Sequence, residues 1–174
     1  FTFWRSVLGE DYENYAKGNE DTASIDRTLD TYNRITWMMP AGNTLAIGTD
    51  GEEYSVGATR EGEAITPVNI RVIKQTTHGS LTDTQTLNIN NTVMFVQKAG
   101  NKLMEYEYYF DSNKYVAEDK TILAEHITAS GIKKIGYIKE PRPLVLILRN
   151  DGVLVICLYL KSEVANIASF SRLI

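Results

Sequence analysis

The chain has 174 residues, of which 43% are hydrophobic and 23% charged, with one cysteine and a formal net charge of −4. A chain of this length can bury enough apolar surface to fold as one domain without disulfides or a structural metal, which excludes a small disulfide-stapled scaffold. Lysine and arginine are spread along the chain, and the longest apolar stretch is only about eight residues, so we expect at most loose contact with duplex DNA and no membrane-spanning segment.

The amino-terminal 31 residues are predicted to form a strand, a long loop and a second short strand. Residues 1–5 are largely apolar or aromatic, and this amino end has neither an initiator methionine nor the layout of a signal peptide. We therefore expect a piece of a longer protein, whose first strand lacks its natural partner. Residues 9–31 are rich in Asp, Glu and Asn, which predicts a loop ending in a strand over residues 24–29.

Three later segments share one layout, in which an apolar strand, a turn centred on glycine and a second strand follow one another. They cover residues 44–57, 92–110 and 144–160. The turn glycines are Gly51, Gly100 and Gly152, and glycine is the residue that most readily adopts the positive φ of tight hairpin turns. They recur about every 50 residues, which is typical of β-propeller blades.

Apolar segments flank each hairpin, as a four-stranded blade requires. They cover residues 33–39, 69–75, 85–90, 132–138 and 165–170. Residues 112–129 predict an outer strand followed by one helical turn. The sequence thus predicts an all-β, β-propeller-like fold of about three four-stranded antiparallel blades plus a partial one, with little helix. The predicted units are a partial blade with its loop (1–31) and three blades (32–76, 77–128 and 129–174).

The residue types that carry most metal and nucleophilic chemistry are scarce in this chain. His78 and His126 have no further ligand at a metal-binding spacing, so each is interpreted as a turn or surface residue, and no metal site or cofactor is predicted. Cys157 lies in an apolar run and is interpreted as a small buried side chain. No nucleophile-elbow or phosphate-binding glycine motif is present, so we predict that the chain is not an enzyme.

Paired carboxylates remain the one catalytic possibility, because glycoside hydrolysis needs only two of them beside a sugar ring. Glu105 and Glu107 share one strand face. The alternative to a catalytic role is that this face is simply solvated and tolerates charge. The other candidate carboxylates are Glu10, Asp11, Glu13 and Asp21.

The aromatic residues allow two interpretations. An exposed row could stack on sugars or bases, whereas a buried one fills the seams between blades. The sequence favours packing, with Trp37, Phe95 and Tyr108 between the sheets.

A specific resemblance begins at residues 65–80. There the run Thr66-Pro67-x-Asn69, followed by Arg71-x-x-x-Gln75-Thr76-x-His78-Gly79-Ser80, resembles the tail nozzle or tail tubular protein B-like family of short-tailed phages. Thr76 stands where the family has Ser, and His78 where it has Tyr. Further matches cover nearly the whole chain, among them Trp4–Ser6, Val93–Gln97, Asp119–Thr121, Ala124–His126, Glu140-Pro141 and Arg149–Gly152. Met104, Tyr109 and Phe170 depart from the family pattern.

The resemblance implies a structural component of a phage or prophage tail. Such a component resides in the virion tail after assembly in the host cytoplasm, and it helps to retain packaged DNA. The implied partners are copies of the same chain in a tail ring, the head-proximal adaptor and distal tail proteins, with no membrane contact. No catalytic residue and no cofactor is implied. The alternative is a propeller of a phage receptor-binding part that binds or hydrolyses carbohydrate, and a peptide-binding scaffold is a further possibility.

Overall fold

The computed structural model describes residues 2–7, 14–60, 62–161 and 166–173 of the chain. Strands make up 53% of the structure and helices 4%, which confirms the predicted all-β class with little helix. The described residues form one two-stranded sheet and three four-stranded sheets, and neighbouring sheets are arranged like the blades of a propeller. Among these residues, no helix is both long and apolar enough to cross a membrane.

The amino-terminal sheet contains two antiparallel strands, β1 (Thr2–Arg5) and β2 (Ile25–Thr28). The second strand lies within the one predicted over residues 24–29. The first strand has one partner within the described residues, because the chain returns to place Ile25 opposite Arg5. Residues 9–13 of the predicted loop lie outside the described residues.

Each four-stranded sheet is an antiparallel meander whose strands follow one another in chain order. Sheet 1 contains β3 (Ile35–Ala41), β4 (Thr44–Thr49), β5 (Glu53–Ala58) and β6 (Ile70–Thr76). Sheet 2 contains β7 (Leu87–Ile89), β8 (Thr92–Val96), β9 (Leu103–Tyr109) and β10 (Lys114–Asp119). Sheet 3 contains β11 (Ile132–Ile138), β12 (Leu144–Arg149), β13 (Leu154–Lys161) and β14 (Asn166–Leu173). Residue 165, where the last strand was predicted to begin, lies outside the described residues.

The burial of each strand depends on how many of its faces are covered. On β12, Val145 and Ile147 are fully buried, whereas Leu144, Leu146 and Leu148 remain partly exposed. This alternation is typical of a strand with one covered face. All of β8 is buried, because sheets 1 and 3 cover both faces of sheet 2.

The three predicted turn glycines do not share one conformation. Gly100 and Gly152 have φ of 83° and 84°, the left-handed region that favours glycine. The prediction of positive φ is wrong at Gly51, which does not lie in that region. A different constraint acts there, because a Cβ added to Gly51 would lie 2.3 Å from Nδ2 of Asn33. Gly51 therefore fits its turn because Asn33 packs tightly against it.

Three hydrophobic clusters hold neighbouring sheets face to face. Phe3 and Leu29 cover Ile47, Tyr54 and Val56 of sheet 1. The cluster between sheets 1 and 2 contains Trp37, Ala41, Ala46, Val93, Phe95, Met104, Tyr106, Tyr115 and Ala117. The cluster between sheets 2 and 3 is mostly aliphatic and also contains Cys157 and Tyr159. The sheets therefore stack in chain order, each buried against the next.

The segment after β9 follows the prediction for residues 112–129. A short 3₁₀ turn, Phe110–Ser112, leads into β10, and the single α-helix of the described residues, α1 (Glu125–Thr128), follows as one turn. Ile127 of this helix packs into the cluster between sheets 2 and 3. The helical turn thereby closes one end of that interface.

Candidate functional site

Aromatic side chains dominate the interface between sheets 1 and 2. The ring centroids of Trp37 and Phe95 are 5.5 Å apart, and Nε1 of Trp37 donates a hydrogen bond of 2.8 Å to Oγ of Ser80. The rings of Tyr106 and Tyr115 are stacked with centroids 4.9 Å apart. Trp37 and Phe95 thus lie between the sheets, in the positions predicted for them.

Tyr108 lies at the margin of this cluster rather than inside it. Its ring is tilted against that of Tyr115 at a centroid distance of 5.3 Å, yet the residue is 37% exposed. The prediction that Tyr108 packs between the sheets is therefore wrong in part. The reason is that an open cleft separates the two sheets at this point, and Tyr108 lines it.

The inter-sheet cleft has a volume of about 510 Å³ and is bounded by sheets 1 and 2. Four turns meet around it, namely those between β3 and β4, β5 and β6, β7 and β8, and β9 and β10. Its size falls in the range of about 300–1,000 Å³ that is usual for small-molecule sites. This is the end of the sheets at which loops from two different repeats converge.

A fixed network of hydrogen bonds forms the inner wall of the cleft. The side chain of Gln75 donates to Oγ of Ser55 at 2.7 Å and accepts from the backbone N–H of Tyr115 at 3.1 Å, so it links sheet 1 to sheet 2. The hydroxyl of Tyr115 donates to the carbonyl of Ala41 at 2.8 Å and lies 2.7 Å from Oγ1 of Thr44. Burial raises the pKa of Tyr115, which keeps this donor protonated.

The outer rim of the cleft presents amide and cationic side chains to solvent. Asn90 and Asn91 form the β7–β8 turn with φ of 50° and 66°, and Asn113 ends the 3₁₀ turn with φ of 50°. Asparagine tolerates this left-handed region better than most residues, so the turns themselves account for three of the amides. Arg71 and Lys114 are exposed on the rim, and neither forms an ion pair within the described part of the chain.

The carboxylates considered for catalysis are held in ion pairs. Glu105 is only 2% exposed, so the interpretation of a solvated strand face is wrong for this residue. Lys161 lies 2.8 Å from Oε1 of Glu105, and Lys120 pairs with its Oε2. Lys161 also pairs with Glu107, which brings the two predicted carboxylates together around one ammonium group.

The Glu105 group spans the interface between sheets 2 and 3. The hydroxyl of Tyr159 and Nζ of Lys161 each donate a hydrogen bond of 2.8 Å to Oε1 of Glu105, whereas Lys120 forms an ion pair with Oε2. Burial, together with the charge of Lys161, lowers the pKa of Lys120. The arrangement fixes the register of two sheets through a buried charge cluster.

The remaining candidate carboxylates do not join these two. Glu10, Asp11 and Glu13 lie outside the described residues, and Asp21 is exposed in a turn. Two of the described carboxylates line the cleft. They are Glu107 and Glu63, and Glu63 lies 3.5 Å from Arg60.

Two adjacent carboxylates of sheet 1 experience opposite environments. Burial raises the pKa of Glu53, although Thr76 and the backbone N–H of His78 donate hydrogen bonds to it. The pKa of Glu52 is lowered, chiefly because the hydroxyl of Tyr54 donates to it at 2.5 Å. Strand alternation explains the difference, since neighbouring side chains point to opposite faces of the sheet.

The histidines and the cysteine lie where the sequence placed them. His78 is half-buried in the loop after β6, and His126 is exposed on α1. In the described part of the chain, no group of three potential metal ligands comes together. Cys157 is 1% exposed, and burial raises its pKa to about 12, so the thiol is poorly reactive at neutral pH.

Sheet 3 presents a second surface feature, which we call the open face of sheet 3. The alternate side chains of β12 and β13 that point away from sheet 2 are all aliphatic, and registered pairs such as Leu146 opposite Ile156 cover the face. Its members on the first three strands are Ile138, Leu144, Leu146, Leu148, Leu154, Ile156, Leu158 and Leu160. None of the described residues belongs to a sheet that covers this face. Contiguous apolar surface of this kind is typical of an interface.

Sequence reasoning did not identify the cleft. Gln75, Arg71 and Lys114 reach it from strands about 40 residues apart, so no local spacing marks them as one site. The only local signal was the asparagine content of the turns. No protein-family model matches this chain, and no curated protein matches it either.

Proposed function

We propose that this chain is a structural component of the tail of a phage or prophage, of the tail nozzle or tube type, without enzymatic activity. It assembles with copies of itself in a tail ring, contacts the head-proximal adaptor and distal tail proteins, and helps to retain packaged DNA. The resemblance at residues 65–80 and the stack of blade-like sheets support this proposal.

The open face of sheet 3 is the observation that carries the proposal. Sheets 1 and 2 each bury one face against the following sheet, through the clusters that contain Trp37 and Leu103. The corresponding face of sheet 3 has aliphatic side chains on three successive strands, of which Leu160 and Ile138 are each 40% exposed. Continuity with the two covered interfaces points to one occupant, a further β-sheet with an apolar face. A chain that can bury its open apolar face against a further sheet is suited to a role in a protein assembly.

The overall charge is compatible with loose contact with DNA. The net charge is −4, and both lysines of the Glu105 group, Lys120 and Lys161, are ion-paired. A surface without a basic patch binds duplex DNA weakly, so that DNA can slide past it.

The test is made in particles of the phage or prophage that carries the coding sequence. A Leu146→Glu variant should leave the isolated chain folded, since the open face is uncovered there, but should yield incomplete tails and early loss of packaged DNA. Val68→Glu is the control, because Val68 is an isolated loop side chain that is 64% exposed. Electron microscopy and nuclease-sensitive DNA are the readouts. Absence of the chain from purified particles, or equal DNA retention in both variants, would overturn the proposal.

A further inference from the structure

We infer that the inter-sheet cleft binds an acidic saccharide. This inference goes beyond the proposed tail function and does not depend on it. It rests on the volume of the cleft, the hydrogen-bonding groups on its rim, two cations without an ion pair among the described residues, and one exposed aromatic ring.

The rim provides the hydrogen-bonding groups that sugar hydroxyls require. Asn43, Asn90 and Asn91 lie on two of the turns that line the cleft, and all three are exposed. None of their side chains makes a hydrogen bond within the described part of the chain. A carboxamide carries both donors and an acceptor, so it can either donate a hydrogen bond to a hydroxyl or accept one from it.

The inner wall makes the cleft rigid before any ligand arrives. Gln75 joins the two sheets, and the hydroxyl of Tyr115 is fixed by Ala41 and Thr44. Because these groups are already hydrogen-bonded to one another, little conformational entropy is lost on binding. The inner wall sets the width of the cleft, whereas the side chains of the rim remain available to bind a ligand.

The charge distribution indicates an anionic group on the ligand. The described ionic lining residues are Arg60, Glu63, Arg71, Glu107 and Lys114. Arg60 pairs with Glu63, and Lys161 pairs with Glu107, so among the described residues Arg71 and Lys114 have no carboxylate partner. A guanidinium binds a carboxylate through two parallel hydrogen bonds, so Arg71 is the group expected to hold a sugar acid.

Tyr108 supplies a face for the sugar ring. Its hydroxyl donates to Oδ1 of Asn113 at 2.6 Å, and its ring rests against Tyr115, so the exposed ring is held in one orientation. An oriented aromatic ring gives an apolar contact for the C–H face of a pyranose while the rim amides bind its hydroxyls.

Binding, rather than hydrolysis, is the inferred activity. Hydrolysis of a glycosidic bond needs one carboxylic acid and one free carboxylate beside the bond. Both described carboxylates of the cleft are engaged in ion pairs, Glu63 with Arg60 and Glu107 with Lys161. The saccharide is therefore expected to be released unchanged.

The experiment titrates the full chain with matched acidic and neutral sugars. The probes are 3′-sialyllactose against lactose, and trigalacturonic acid against maltotriose, followed by calorimetry and saturation-transfer NMR. We expect at least one acidic probe to bind about tenfold more tightly than its neutral counterpart, and about tenfold more weakly to the Arg71→Gln variant. Tyr108→Leu should reduce the affinity for both the acidic and the neutral probe, because it removes the stacking surface.

Two controls separate this inference from simple charge attraction. Arg34→Gln changes another arginine without an ion pair among the described residues, outside the cleft, and should leave binding unchanged. Inorganic phosphate at the same ionic strength should not displace the acidic probe. The inference is overturned if neither acidic probe binds, if Arg71→Gln and Arg34→Gln have equal effects, or if phosphate displaces the probe. Failure of the tail assay would leave these binding results unaffected.

Discussion

The backbone of Gly48 lies directly against the indole ring of Trp37. A Cβ added to Gly48 would lie 2.1 Å from Cε2 and 2.3 Å from Nε1 of that ring. The ring cannot move aside freely, because Nε1 donates to Ser80 and the indole packs on Phe95. The indole can therefore take this position between sheets 1 and 2 only because Gly48 of β4 has no side chain.

Gly48→Ala is expected to destabilise the fold by at least about 2 kcal/mol, since it overpacks a buried ring that is held by a hydrogen bond. Gly136→Ala is the matched control, because a Cβ at Gly136 meets nothing within 4 Å. The free energy of unfolding in urea measures both changes. Equal midpoints for the two variants would contradict the tight contact.

Glu105→Gln is expected to cost about 3 kcal/mol at neutral pH, because it leaves the largely buried ammonium of Lys120 with only the exposed Glu118 as a partner among the described residues. Glu107→Gln should cost about 1 kcal/mol or less, because the Glu107 side chain is 31% exposed and Glu105 still pairs with Lys161. Urea unfolding of both variants tests the difference. A smaller loss for Glu105→Gln than for Glu107→Gln would show that the buried group does not hold sheets 2 and 3 together.

Substitutions at Glu52 and Glu53 are expected to change stability in opposite directions with pH. The pKa of Glu53 in the folded state lies above its usual 4.5, so the wild type loses stability as pH rises through this range, and Glu53→Gln should be the more stable protein near about pH 7. The pKa of Glu52 lies below 4.5, so its contribution is present above that value and is lost on acidification. Glu52→Gln should accordingly be less stable at neutral pH.

Both differences from wild type should shrink as the pH falls from neutral into the acidic range, because protonation removes the charge of each carboxyl in the folded and the unfolded state. Unfolding free energies measured across this range give the test. A gain for Glu52→Gln together with a loss for Glu53→Gln at neutral pH would reverse both assignments.

Gly100→Val is expected to cost well over ~1 kcal/mol, because a β-branched residue is strained at φ of 83°. Gly100→Asn is the milder variant, since asparagine tolerates the left-handed region. Steric overlap does not contribute to the difference between the two variants. The atom nearest to a Cβ added at Gly100 is Cδ2 of Leu81 at 3.7 Å, which is an ordinary contact. Unchanged melting of Gly100→Val would remove the proposed role of this turn.

Much of the fold could be predicted because its signals are local. Glycine turns between apolar segments specify hairpins, and their recurrence specifies successive sheets. The same reasoning failed at Gly51, where contact with Asn33 rather than positive φ favours glycine. Two residues 18 positions apart in the sequence leave no local pattern from which such a contact can be inferred.

The candidate functional surfaces were harder to predict from the sequence, because they depend on which faces of the sheets pack against each other. Glu105 and Glu107 were correctly placed on one strand face, but the lysines that neutralise them come from elsewhere: Lys120 from the turn after β10 and Lys161 from sheet 3. Tyr108 was assigned to the seam because aromatic residues usually fill such positions. Only the arrangement of β9 and β10 beside sheet 1 reveals that its ring lines a cleft.

In the described residues, every strand pairs only with strands adjacent to it in the chain. The contacts that define each sheet therefore close over short stretches of sequence, which favours rapid folding for an all-β protein. During synthesis on the ribosome, sheet 1 can be complete before β11 has been translated. Folding is thus expected to proceed vectorially from the amino terminus, with each finished sheet serving as a template for the one that emerges next.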